Sequence, residues 1–311
     1  MITAEILDVT RIEPKLKHPT IFKYFDALDS GESFVIDNDH DPKPLYYQLL
    51  GERGNIFSWE YLLQGPQRWQ VKIAKLLNTP GEETIGEIAA NDMRKAAIFK
   101  AKGIDYSCGG YKTLAQATAE AGITEEELET ALGNAGNQPL TASQDFAKWS
   151  PEFLTDYISN THYQYIRENI ETICGLTEKV AGRHGNQHPE LYRLLQSVPA
   201  FLQNLLVHIN KEEKTFFPVI RQKADRKKDP LLPVGYEEGL IQQSILLLQK
   251  EHYIIAEDLA YFRKITNGYT LPEEACNSYT YLYKKLLELE EDLKQCLHLE
   301  NNILFPKAAA L

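Results

Sequence analysis

The 311-residue sequence holds only four cysteines, at 108, 174, 276 and 296, with no CxxC pair and no spacing that suggests a disulfide framework. Such scatter predicts a reducing compartment in which the thiols stay free and available to metals. A surplus of positive charge is missing as well: 33 Lys and Arg stand against 44 Asp and Glu, for a formal net charge of -11. Nucleic acid is therefore not an expected partner, because phosphate neutralisation needs a basic face. The most basic cluster, Lys223-Ala-Asp-Arg-Lys-Lys228, is interrupted by Asp225 and followed by Asp229, and it reads as a solvated loop. Long apolar runs are absent too. The longest, around Leu240 to Leu248, is broken by glutamines, and the start Met1-Ile-Thr-Ala-Glu5 has neither the basic nor the apolar part of a signal peptide. No membrane association and a cytoplasmic location are the expectation.

What the chain does have is a hydrophobic content of 43%, enough for two or three domains, and a site that occurs twice. His208-Ile-Asn-Lys-Glu212 leads through Lys214, Phe216 and Phe217 to Pro218; Cys296-Leu-His-Leu-Glu300 leads through Asn302, Leu304 and Phe305 to Pro306. In each copy a nitrogen or sulfur donor precedes a glutamate by four residues, and a proline closes an aromatic run six residues after the glutamate. Positions i and i+4 differ by about 40° around a helix, so donor and carboxylate share a face one turn apart. Two such pairs on two helices provide two carboxylates able to bridge, as inward-facing di-iron sites in helical bundles do.

Further donors lie between the copies. His162 falls in an apolar-periodic segment with Phe153, Tyr157, Ile158, Tyr165, Ile166 and Ile170, and His252 in another with Ile245, Leu248, Ile255 and Leu259. His184 lies in the polar connection Gly182-Arg-His-Gly-Asn186, ahead of His188-Pro189. Any one of these is by itself more readily a core or surface histidine than a ligand. Together with two i+4 carboxylates they point to a metal site. The helices expected here run over about 151–180, 189–221, 236–267 and 272–305, with turn signals at Gly182, Gly235 and Asn267-Gly268, as an up-down-up-down bundle.

The segments Leu154-Thr-Asp-Tyr-Ile-Ser-Asn-Thr-His162, Val207-His-Ile-Asn-Lys-Glu212, Gln249-Lys-Glu-His252 and Leu299-Glu-Asn-Asn-Ile-Leu-Phe-Pro306 resemble the hemerythrin-like domain of the bacterial di-iron proteins that repair iron-sulfur centres. The resemblance covers roughly residues 150–311. It implies iron ligands at His162, His184, His208 and His252, with Glu212 and Glu300 bridging two non-haem irons. Two departures stand out. Cys296 occupies the place of a family histidine, and around His162 the family often has its histidine one position later, where this chain has Tyr163. Three alternatives stay open at position 296: the thiolate ligates, the position is vacant or filled by solvent, or His298 substitutes. An ideal helix directs His298 about 200° from Glu300, so the last would need local rewinding.

Ahead of this region, residues 84–138 read as a short helical domain announced by three capping boxes, Thr84 with Glu87, Thr113 with Gln116 and Thr124 with Glu127. Gly103-Ile-Asp-Tyr-Ser-Cys-Gly-Gly110 resembles the amino-terminal cysteine motif of the same repair family, with Ser107 where the first of two adjacent cysteines would stand. A helix beginning near Thr113 would favour the Cys108 thiolate. Residues 1–77 read as a two-layer α/β domain: strands at 6–12 and 33–37, helices at 20–28 and 44–50, and a hairpin of 57–63 with 69–74. It resembles a bacterial domain of unknown function similar in layout to small sulfur-carrier domains, but lacks their cysteine near His40 and Asp41. Asp41 is expected to cap the second helix; the other reading makes Asp39, His40 and Asp41 an exposed ligand site.

Linkers are expected at Thr79-Pro80-Gly81 and from Gly133 to Ser143, so that a fragment beginning near Ser143 folds alone. The fold expectation is mainly α, with the bundle over 150–311. The resemblance implies repair of iron-sulfur centres after oxidative or nitrosative damage, with damaged iron-sulfur proteins as partners and oxygen or nitric oxide as ligands. A sensor that signals through the amino-terminal domains is the alternative, and an interaction protein with a decayed site a blander one. A homodimer is open.

Overall fold

The structure, a computed structural model, describes residues 5–29, 31–53, 57–66, 68–75, 83–135, 145–228 and 240–311, and the chain divides into two units, residues 1–82 and 83–311. In the first, β1 (Glu5–Asp8), α1 (Pro14–Ala27), β2 (Ser33–Asn38), α2 (Lys43–Arg53), β3 (Phe57–Gln64) and β4 (Trp69–Lys75) follow one another. The strands lie in the order β1-β2-β4-β3, with β1 parallel to β2 and the other pairs antiparallel. A parallel pair needs a crossover, which α1 provides. Phe22 and Phe25 of α1 and Leu45 and Leu49 of α2 bury their side chains with Ile36, Val71 and Ile73 of the sheet, the expected two layers. Helix α1 starts well before the expected residue 20, since Pro14 suits a first turn. At the next junction Asp41 Oδ1 accepts the Lys43 N–H at 3.0 Å and the Tyr61 hydroxyl at 2.8 Å, so this carboxylate is engaged in helix entry.

The second unit opens with α3 (Ile85–Asn91), α4 (Met93–Ala101), α5 (Leu114–Ala121) and α6 (Glu125–Ala135) around Ile85, Phe99, Tyr106 and Leu128. All three capping boxes form. The bundle follows: α7 (Pro151–Ile158) runs into α8 (Gln164–His184), α9 (Glu190–Lys211) into α10 (Phe217–Lys228), and α12 (Asn277–Leu299) into α13 (Phe305–Ala309), with α11 (Leu240–Ile265) between the last two. Its core joins Leu154, Ile173, Leu194, Leu205, Leu248, Phe262, Leu286 and Leu304, among others. The helix expected to stop near Gly182 continues to His184. Asn267 and Gly268 take left-handed φ values of 49° and 68°, as a turn there requires. The expected linker at 79–81, most of the second one and the turn at Gly235 lie outside the described residues.

Among the described residues, three π-turns interrupt the bundle helices: Ser159–Tyr163, Glu212–Phe216 and Glu300–Leu304. In the last two the glutamate carbonyl accepts the N–H five residues on, from Phe217 and Phe305 respectively. Each is followed by a proline, Pro218 or Pro306, which has no N–H for the carbonyl four residues back and crowds it with its ring. The doubled sequence motif thus becomes a doubled backbone geometry. The first π-turn has no following proline.

Residues 83–135 and the bundle fall within one compact unit. The Asn302 side chain donates to the carbonyls of Tyr106 (2.9 Å) and Ser107 (3.3 Å) in the loop between α4 and α5. Gly86 and Gly110 permit this approach, because a Cβ on Gly86 would lie 2.6 Å from Asn302 Oδ1 and one on Gly110 closer still.

Candidate metal centre

Four donors converge inside the bundle: His208 from α9, Glu212 at the start of its π-turn, His252 from α11 and Glu300 at the start of the last π-turn. One ligand atom of each lies within 4.8 Å of the others. All four are buried, His208 at 6% exposure and the rest at 1% or less. His208 Nε2 is 3.4 Å from Glu212 Oε2, which is the i+4 pairing the sequence suggested. His252 Nε2 stands 3.3 Å from Glu300 Oε2, 3.7 Å from Glu212 Oε1 and 3.1 Å from His208 Nε2.

The opposite nitrogens are tied down. His208 Nδ1 lies 2.7 Å from Glu251 Oε2, and His252 Nδ1 lies 2.8 Å from Asn301 Oδ1. Both Nε2 atoms are thereby turned toward the carboxylates, as outer partners of metal-binding histidines do. Burial alone would raise the Glu251 carboxyl, but the His208 and Lys211 hydrogen bonds overcome it and bring it down to about 2. Phe305 stacks on the His252 ring at 5.5 Å and Phe216 packs edge-on against Phe305. Sequence reading missed Glu251 and Asn301, although each is the immediate neighbour of a donor, at 252 and 300.

Tyr163 closes the other side. Its hydroxyl reaches both Glu212 Oε2 and Glu300 Oε1, the latter at 2.6 Å, and Cys296 Sγ lies 3.3 Å from the same Glu300 oxygen. Burial opposes ionisation of both glutamates. At Glu212 the His208 and His252 imidazoles outweigh it and hold the carboxyl below its ordinary range. At Glu300 burial prevails, reinforced by the Glu212 charge, and the carboxyl is pushed up to about 7. Burial, with the same carboxylates, drives the Tyr163 phenol and the Cys296 thiol well above their ordinary values.

Two other expected ligands, His162 and His184, are not among these four. His162 is buried but pairs through Nδ1 with Asp292 at 2.9 Å and packs against Tyr157. The π-turn at 159–163 explains this. Its extra residue shifts the helix phase, so Tyr163 rather than His162 faces the glutamates. His184 contacts Cys276 Sγ at 3.2 Å. It follows Tyr163 by twenty-one positions along a helix, about 30 Å at 1.5 Å per residue, which puts it and nearby His188 at the far end of the bundle. His298 points away from Glu300, as ideal geometry anticipates: it bonds Asn302 at 2.9 Å and packs on Tyr106, and burial lowers its pKa to about 4. Cys108 is also displaced from expectation. Its sulfur turns toward the His252 carbonyl (3.6 Å) and Asn301 (3.8 Å), and burial with the Asp105 charge pushes the thiol well up, not down.

The converging donors suit a divalent first-row metal, because two neutral imidazoles accompany two carboxylates whose charges otherwise face each other out of water. Glu212 Oε1 is buried with no hydrogen-bond partner, which a cation would supply.

The fold and these donors make a helical bundle able to hold a cation, and residues 160–308 match the hemerythrin HHE cation binding domain. Residues 6–75 match an uncharacterized conserved protein family (DUF2249), and residues 81–136 a domain of unknown function (DUF542). The chain is homologous over about three quarters of its length to proteins named iron-sulfur cluster repair protein YtfE. That of Yersinia pseudotuberculosis serotype O:1b (strain IP 31758) is 28% identical over 229 residues, 73% of this chain and 96% of its own. The Pectobacterium atrosepticum protein (strain SCRI 1043) is 29% identical over 230 residues, 73% of this chain and 96% of its own. The Citrobacter koseri protein is 29% identical over 232 residues, 74% and 97% of the two chains.

Proposed function

We propose that the chain is a non-haem iron protein that acts in the repair of iron-sulfur centres damaged by oxidative or nitrosative stress. The observation that carries this reading is the buried convergence of His208, Glu212, His252 and Glu300 within 4.8 Å, in a chain whose relatives are named for cluster repair. These four residues would hold iron, Cys296 would add a sulfur donor beside Glu300, and the two glutamates would be shared between two irons. His162 and His184 do not enter the proposal, since neither belongs to the converging cluster.

Bound iron would supply redox chemistry and open positions for oxygen or nitric oxide. The protein's own part is to aim the two imidazoles through Glu251 and Asn301, and to keep bulk water out with Phe216, Phe217 and Phe305. A cleft of about 250 Å³ between α9 and α11, lined by Lys211, Glu251 and Asp258, reaches the outer side of His208 and offers a route for small molecules. Damaged iron-sulfur proteins in the cytoplasm are the partners this role implies.

The test is iron content, followed by transfer. Protein purified without added metal should carry iron and restore activity to an iron-sulfur acceptor lacking its cluster, while Glu212→Ala with Glu300→Ala should carry almost none. Full iron content in that double variant, or no iron in the wild type, would end the proposal. Iron held tightly while the acceptor stays inactive would favour the sensing role instead.

A further inference from the structure

Glu300 divides its two oxygens between unlike neighbours. Oε2 faces the His252 imidazole at 3.3 Å, whereas Oε1 faces the Tyr163 hydroxyl at 2.6 Å and the Cys296 sulfur at 3.3 Å. Glu212 likewise turns Oε1 to His252, at 3.7 Å, and shares Oε2 between Tyr163 and His208. Glu300, which offers one oxygen to each side, is placed as a bridging ligand, while Glu212 Oε2 faces the phenol and one imidazole together. On one side the added donors are two imidazole nitrogens; on the other they are a phenol oxygen and a thiol sulfur. Both of these are buried, at 1% and 2% exposure, and both direct their polar atom at the shared carboxylates. The phenol has a single proton for two carboxylate oxygens within hydrogen-bond reach, so it can donate to only one of them at a time.

We propose that Tyr163 is a metal donor: its phenol oxygen, with Glu212 Oε2, Glu300 Oε1 and Cys296 Sγ, forms a second metal position beside the imidazole-lined one. The proposal rests on reading the centre as a metal site and says what its second half is made of. When a cation enters, the Tyr163 O–H and Cys296 S–H bonds each release a proton to bulk water, and the oxygen and sulfur lone pairs take the metal in its place. No electron transfer is needed. Phenolate is a hard anionic donor and imidazole a softer neutral one, so the two positions differ in chemistry: the Tyr163 side favours ferric iron, the imidazole side accepts ferrous iron readily.

The experiment loads the full chain with iron, oxidises it in air, and records iron per chain together with visible absorption and resonance Raman spectra. The wild type should hold two irons and show a phenolate-to-ferric charge-transfer band with phenolate ring vibrations. Tyr163→Phe should lose the band and drop from two irons to one; Cys296→Ser should keep the band. Tyr163→His should keep two irons without the band, which also guards against loss of fold as the cause in the Phe variant. Iron in the wild type without a phenolate signature, or a signature that survives in Tyr163→Phe, would overturn the assignment while leaving the metal centre standing. A wild type that takes up no iron would sink the metal reading, and this assignment with it.

Discussion

Cys276 and Cys296 stand at opposite ends of α12, and their surroundings make them opposite in reactivity. The backbone amides of Tyr279 and Ser278 at the helix start lower the Cys276 thiol, and His184 lies 3.2 Å from its sulfur. Burial and the Glu300 charge raise Cys296, and burial raises Cys108 and Cys174 as well. In metal-free protein near neutral pH, iodoacetamide should therefore modify Cys276 first, about tenfold faster than the other three. Peptide mapping by mass spectrometry reads the order, and equal labelling of Cys296 would contradict its burial. The sequence made His208 and the two glutamates legible because the i+4 spacing is a property of any helix, and His252 through its apolar-periodic segment and the family resemblance. It could not choose between His162 and Tyr163, because that choice depends on one extra residue in a turn whose widening no proline announces.

At the scale of elements, α11 and α12 are joined by a buried charge. Glu290, 1% exposed, accepts hydrogen bonds from Arg263 Nε at 2.8 Å and Lys294 Nζ at 2.7 Å. Burial alone would raise its carboxyl, but these two cations outweigh it and hold the group below its ordinary range. A folded-state pKa below the unfolded one means that the stabilisation is complete above the unfolded value of about 4.3 and is lost as pH falls through the folded one. Glu290→Ala should destabilise by about 2 kcal/mol, less than a fully buried pair, because Arg263 and Lys294 can turn to solvent. Thermal melts should show the wild type's advantage shrinking as acid is added below about pH 4. The π-turns set a second expectation. Deleting Asn160 should return 159–163 to α geometry and rotate Tyr163 by about 100° away from the glutamates. Any spectroscopic mark of Tyr163 on bound iron should vanish with folding retained. Helices, caps and strands were readable from the sequence because each has a local cause. The docking of Asn302 onto the loop near residue 106 was not, since it depends on two distant glycines leaving room.

For the whole molecule, the chain divides into compact units after residue 82, with residues 83–311 in the second. A fragment of residues 83–311 should fold cooperatively and bind as much iron as the full chain. One beginning at residue 145 should bind less and melt lower, because it uncovers His298 and Asn302, which the 83–135 region covers. Circular dichroism and iron analysis of the two fragments would show it, and equal stability would mean that the small helical region is dispensable.

Glu300, Asn301 and Asn302 are consecutive in one five-residue π-turn, and each does a different job: carboxylate donor, anchor of the His252 ring, and clasp on the 106–107 loop. Iron occupancy and loop docking therefore draw on the same small piece of backbone. Whichever orders it first lowers the entropy cost for the other, and thermodynamic linkage makes the effect mutual. Asn302→Ala, which touches no donor, should weaken iron binding about fivefold, and iron should in turn slow amide exchange around Cys108. A loop with no ligand atom in the centre thus becomes a handle on metal affinity.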